Sequence, residues 1–88
     1  MIIVASDNPV VIDEISTILR QKGELFTVAS DETLALSSIR TDRASLLIAD
    51  TSASAFDGFT LCRTLRSDPA ISGLPVLCIV EPTDLGVI

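Results

Sequence analysis

The sequence has no histidine, no tryptophan and no tyrosine, and its only aromatics are Phe26, Phe56 and Phe59. Without histidine, no Ser-His-Asp or Cys-His arrangement can form, and two cysteines alone cannot build a structural zinc site. With so few rings the core must come from Ile, Leu, Val and Ala, and an apolar content of 48% supplies them. Positive charge is also scarce, with six basic residues against twelve acidic ones and a formal net charge of −6. A segment this acidic is repelled by phosphate backbones and anionic membrane surfaces, so neither nucleic acid nor membrane is expected as its partner. The opening run Met1-Ile2-Ile3-Val4 is too short for a membrane span and lacks the basic flank of a signal peptide. A cytoplasmic location is therefore expected. Cys62 and Cys78 both lie in apolar runs and read as small hydrophobes of a reduced core, not as a disulfide or metal pair.

What is present is a regular alternation of two periods over 88 residues, enough for one domain spanning 1–88. Ile2-Ile3-Val4-Ala5 and Leu46-Leu47-Ile48-Ala49 are continuous apolar runs, the signature of strands buried on both faces. Leu25 to Ala29 and Pro75 to Val80 read as two further strands. Between them, Val11, Ile15, Ile18 and Leu19 recur at helical spacing, as do Leu34, Ala35, Leu36 and Ile39. A third helix runs from about Gly58 with Phe59, Leu61, Cys62 and Leu65, and Asp68-Pro69 ends it. Asn8-Pro9 and Asp31-Glu32 are helix starts, and Gly23 offers a left-handed stop. The order β-α-β-α-β-α-β with short connections predicts an open, parallel α/β sheet with helices on both faces.

In such sheets the functional crevice lies at the carboxyl ends of the strands, where the strand order reverses. Asp7 follows the first strand and Asp50 ends the third. In a 2-1-3-4 order these two carboxylates face each other, and converging carboxylates favour a divalent cation with oxygen ligands, here Mg²⁺. Each acid alone could equally be a helix cap or loop residue. The turn Ser6-Asp7-Asn8-Pro9 carries an acid and a proline where a phosphate-binding loop needs glycines and open amides, which argues against a dinucleotide or flavin site. No residue supplies a positioned water or a general acid for a hydrolase, so an enzyme is not expected.

Taken together and in order, several segments resemble the receiver domains of bacterial response regulators. Ile2 to Pro9 resembles the opening strand and acidic turn. Leu46 to Asp50, followed by Phe56-Asp57-Gly58-Phe59, resembles the phosphoacceptor strand and the start of the next helix. Leu61 to Arg66, Asp68-Pro69 and Leu74 to Leu77 are similar to the stretch beyond. The resemblance implies a flavodoxin-like α/β/α fold that stops before the last strand and helix, as the N-terminal part of a longer protein. It implies that Asp50 accepts a phosphoryl group from a histidine kinase or phosphotransfer protein. Asp7, Asp50 and the backbone carbonyl of Ser52 would hold Mg²⁺, and an output domain would lie in the same or a partner chain.

Three positions depart from the family pattern. Ser6 stands where the family has the first of two acids, and Val80 stands where it has a hydroxyl that contacts the phosphoryl group. Ser54 replaces a proline, and no residue matches the family's lysine on a fifth strand. These departures keep open a second reading, a receiver-like module that binds or dimerises without phosphotransfer. The open strand edge of a shortened sheet leads to the expectation of a homodimer or of marginal stability. Arg40, Arg43, Arg63 and Arg66 read as solvated charges.

Overall fold

Residues 1–51 and 58–79 are described by the structure, a computed structural model. The elements follow one another as β1 (Ile2–Ala5), α1 (Pro9–Gln21), β2 (Phe26–Ala29), α2 (Glu32–Thr41), β3 (Leu46–Asp50), α3 (Gly58–Arg66) and β4 (Val76–Ile79). All strand pairings are parallel and the sheet order is β2-β1-β3-β4. This is the open α/β sheet that the alternating periods predict, wound in both directions from β1.

The two apolar runs take the central places. Ile3, Val4, Ala5, Leu47 and Ala49 are wholly inaccessible, because each strand has a neighbour on both sides and helices above and below. Alternate residues feed two cores. Ile2, Val4 and Ile48 meet Leu19 of α1 on one face, with Ile15, Phe26, Leu46 and Ile79 packed around them. Ile3, Ala5, Ala29, Leu47 and Ala49 meet Ala35 and Ile39 of α2 and Leu61 and Leu65 of α3 on the other. The register aligns Ala29, Ala5, Ala49 and Cys78 as one row across all four strands on that second face. Small side chains there let the helix layer lie close to the sheet.

The helix signals act as local chemistry requires. The Asn8 side chain caps α1 by accepting from the Val10 amide at 3.0 Å, and Asp31 caps α2 by accepting from the Leu34 amide at 2.8 Å. Gly23 adopts φ +71° just after α1, a conformation costly for side-chain-bearing residues. Arg43 takes the same role after α2 at φ +51°.

Two of the arginines, exposed as expected, also hold specific partners. Arg66 donates to the carbonyls of Ser72 at 2.5 Å and Leu74 at 2.7 Å, and so shapes the entry to β4. Arg40 at the end of α2 donates to Asp68 at 2.6 Å. The guanidinium, together with the Ala70 amide, holds the Asp68 carboxyl below its ordinary value of 3.8. A depressed carboxylate contributes its stability above the unfolded value, and loses it as pH falls through the lower folded value. An NMR titration is expected to find Asp68 titrating below the ordinary range, and Arg40→Gln should move it back up. An unmoved titration in the variant would show that Arg40 is not the cause.

The edges differ from the sequence expectation. Leu25 lies outside β2 with its side chain 74% exposed, although its carbonyl accepts from the Ile2 amide. Cys78, expected in the core, is exposed, because β4 has a single neighbouring strand among the described residues. Ile18, counted among the core residues of α1, is 51% exposed, and Ser16 is buried instead. No helix among the described residues is long and apolar enough to cross a membrane.

Candidate functional site

The carboxyl end of β3 brings a charged group into the interior. Asp50 is 1% exposed, and the seryl hydroxyl of Ser6, itself inaccessible, donates to its Oδ2 at 2.7 Å. The register explains the contact. Ala5 pairs with Ala49, so the next residue on each strand, Ser6 and Asp50, stands side by side on the α1 face. The Asn8 amide donates to Ser6 Oγ at 3.1 Å, and the Asn8 side chain in turn caps α1. A chain of hydrogen bonds thus runs from the first turn of α1 to the Asp50 carboxylate. This is the switch point of the strand order, the crevice position expected for function in an open α/β sheet.

The floor of the site is fixed by backbone contacts. Thr51 donates from both its amide, at 3.0 Å, and its hydroxyl, at 2.7 Å, to the carbonyl of Ile79, tying the exit of β3 to the end of β4. Gly58, the first residue of α3, lies against this exit. A Cβ placed there would stand 3.0 Å from both the Asp50 carbonyl oxygen and the Thr51 Cα. Both neighbours are backbone and cannot swing aside. Gly58→Ala is therefore expected to push α3 off the end of β3 at a cost of about 1–3 kcal/mol. A urea melt checks the cost, and an unchanged midpoint would mean that the approach is looser than the geometry states.

Of the expected site residues, Asp50 and Ser6 are in contact, and half-buried Asp7 follows Ser6 directly at the same end of the sheet. Ser52 and Val80 lie outside the described residues, as do Ser54, Phe56 and Asp57. Among the described residues no three potential metal-ligating side chains of the His, Cys, Asp and Glu types cluster together. Ser6 entered the sequence reading only as a departure. Its role as a hydrogen-bond donor to Asp50 could have been found from the strand order and register, which make residues 6 and 50 neighbours. The close approach of Gly58 and the anchoring by Thr51 carried no sequence signal. A cleft of about 540 Å³ lies at the opposite end of the sheet between Arg40, Arg43, Ser45 and Gly73. It is a surface hollow far from the buried carboxylate, and the Asp50 end holds the chemistry.

The response regulator receiver domain family model matches residues 2–86. The chain belongs to this family. The receiver domain is 31% identical over 83 residues to the DNA-binding response regulator MtrA of Mycolicibacterium smegmatis, with 94% of the chain aligned. That alignment covers only 35% of MtrA, so the chain spans about a third of this relative. A candidate response regulator from Chloroflexus aurantiacus J-10-fl superposes with a TM-score of 0.88 at 27% identity, covering 98% of the receiver domain and 70% of that chain. The signal receiver domain of a signal transduction histidine kinase from Syntrophus aciditrophicus superposes with a TM-score of 0.79 at 25% identity, covering 97% and 67% of the two chains. The receiver domain is thus a two-component signalling module with the flavodoxin-like fold.

Proposed function

We propose that this receiver domain accepts a phosphoryl group on Asp50 from a histidine kinase or phosphotransfer protein, and so regulates an output domain. The placement of Asp50 carries the reading, a carboxylate 1% exposed at the switch point of a parallel sheet and held by a designated donor. In the transfer, the P–N bond of a phosphohistidine breaks as an Asp50 carboxylate oxygen forms the new P–O bond, and the imidazole leaves. Ser6 positions the acceptor by holding Oδ2, and the cap on α1 in turn holds Ser6. Phosphoryl transfer asks the protein mainly for positioning and charge neutralisation. The donor set fits a hard cation, because Asp7 and Asp50 offer carboxylate oxygens at adjacent strand ends and the Ser52 carbonyl would complete it. Mg²⁺ bound there would offset the negative charge of the incoming group.

A second reading is favoured by one observation. The hydroxyl of Ser6 occupies the position of an acid in the family and already satisfies Asp50. On this reading the domain binds partners, or a second copy, without taking a phosphoryl group. The relative's name, DNA-binding response regulator, describes a protein almost three times the matched length. The acidic balance of the present segment, −6, assigns any nucleic-acid contact to other parts of such a protein.

A Mg²⁺ titration followed by backbone NMR, repeated with beryllium fluoride as a phosphoryl mimic, separates the two readings. Shifts centred on Asp7, Asp50 and Ser52 that vanish in Asp50→Asn are the expected result. No response up to about 20 mM Mg²⁺, well above the roughly millimolar Kd of the weakest oxygen-ligand sites, would overturn the phosphotransfer reading in favour of the non-phosphorylating module.

A further inference from the structure

We propose that Cys62 and Cys78 form a reversible disulfide within the chain, an oxidation site joining α3 to β4 beside the Asp50 end of the sheet. This inference does not rest on phosphoryl chemistry. The two sulfurs lie 3.9 Å apart, though 16 residues separate them in sequence. A disulfide needs about 2.05 Å, so roughly 2 Å of travel, shared between two side chains, closes the gap. Both residues are thiols in the structure.

The fold brings the sulfurs together through two independent features. On α3, Cys62 shares the inward face with Gly58, Leu61 and Leu65, following the spacing i, i+3, i+4, i+7, and packs against the core. In the sheet, Cys78 is the fourth member of the row Ala29, Ala5, Ala49, Cys78, whose small side chains bring the helix layer close. Each helix and strand is anchored separately, α3 by the buried Leu61 and Leu65 and β4 by its ladder to β3. The pair is therefore held in contact by the fold and not by the chance meeting of two mobile side chains. Exposure differs between the two in a way that orders the chemistry, because Cys78 is exposed and Cys62 is half-buried.

The oxidant is a peroxide. The Cys78 thiolate attacks one peroxide oxygen, the O–O bond breaks, and the departing hydroxide takes up a proton as water, leaving a sulfenic acid on Cys78. The Cys62 thiolate then attacks the Cys78 sulfur, the S–S bond forms, and the S–O bond breaks to release a second water. The pair loses two protons and two electrons, and one hydrogen peroxide becomes two waters. An external dithiol restores both thiols by two successive exchanges, breaking the Cys62–Cys78 S–S bond and leaving as its own cyclic disulfide. The cross-link sits one helical turn along α3 from Gly58, which abuts the Asp50 backbone, and one residue before Ile79, which anchors Thr51. Oxidation would consequently clamp together the two elements that form the floor of the site.

The test treats the full chain with stepwise hydrogen peroxide, then alkylates and weighs it. The expected result is parallel loss of both thiols, a mass lower by two hydrogens, a monomeric species without reductant, and full recovery with dithiothreitol. Trypsin cuts after Arg63 and Arg66 and so separates the cysteines, which makes a linked peptide pair containing Cys62 and Cys78 diagnostic on the unaltered sequence. Cys62→Ser and Cys78→Ser should each abolish the intramolecular link, and a melt of the reduced variants confirms that they fold. Oxygen adducts on Cys78 while Cys62 remains fully alkylated, or disulfides formed only between copies, would overturn the proposal.

Discussion

Leu65→Ala is expected to remove about 3 kcal/mol of stability, lowering the melting temperature by roughly 12–20 °C for a domain of this size. Leu65 is wholly inaccessible at the inward face of α3, against the core that also holds Ile3, Leu47 and Leu61. Truncation deletes apolar contacts and leaves a cavity that the regular sheet beneath cannot collapse to fill. Against a total of the order of 5–10 kcal/mol, such a loss is a large fraction. Leu77→Ala is the matched control. Leu77 faces outward from β4 at 56% exposure, and its removal should change stability by no more than about 0.5 kcal/mol. Urea melts of both variants test the core assignment, and equal losses would contradict it.

The second large effect concerns the residue that departs from the family. Ser6→Asp is expected to destabilise the metal-free domain by about 2 kcal/mol, because it sets a second carboxylate beside the buried Asp50 in place of a donating hydroxyl. With Mg²⁺ present the sign reverses. An added carboxylate raises the ligand charge, and the affinity for the cation is expected to rise by about tenfold or more. Melts in chelator and in Mg²⁺, with a calorimetric titration of the cation, read both effects. If the variant is as stable as the parent in chelator and binds Mg²⁺ no better, the 2.7 Å Ser6–Asp50 contact does not govern the site.

The central strands were legible because burial on both faces writes an uninterrupted apolar run, as in Ile2 to Ala5 and Leu46 to Ala49. The helix ends were legible because caps are local chemistry, and Asn8, Asp31 and Gly23 act where they stand. The edge strands misled for the opposite reason. Leu25, just before β2, and Leu77 and Cys78 of β4 look like core residues by composition, yet among the described residues neither place has the neighbours on both sides that burial needs. Asp50 was found as the end of a buried run, whereas the partner holding it was not. Its donor lies 44 residues away, and only pairing register reveals that serine and carboxylate share a level. The thiol contact was hidden in the same way, because periodicity places each cysteine on an element but does not set the distance between elements.

The position of β1 between β2 and β3 sets a timetable for assembly. As the chain leaves a ribosome, β1 emerges first and can pair along one side once residue 29 is out. Its other side stays open until residues 46–50 follow, and closing that longer loop carries the greater entropic cost. Until then the second face of β1 is an unpaired apolar edge, the kind of surface that chaperones shield. The Ser6–Asp50 hydrogen bond cannot form before that closure. The chemistry of the site therefore waits on the centre of the sheet, and a chain that has acquired it has already paired β1 on both sides.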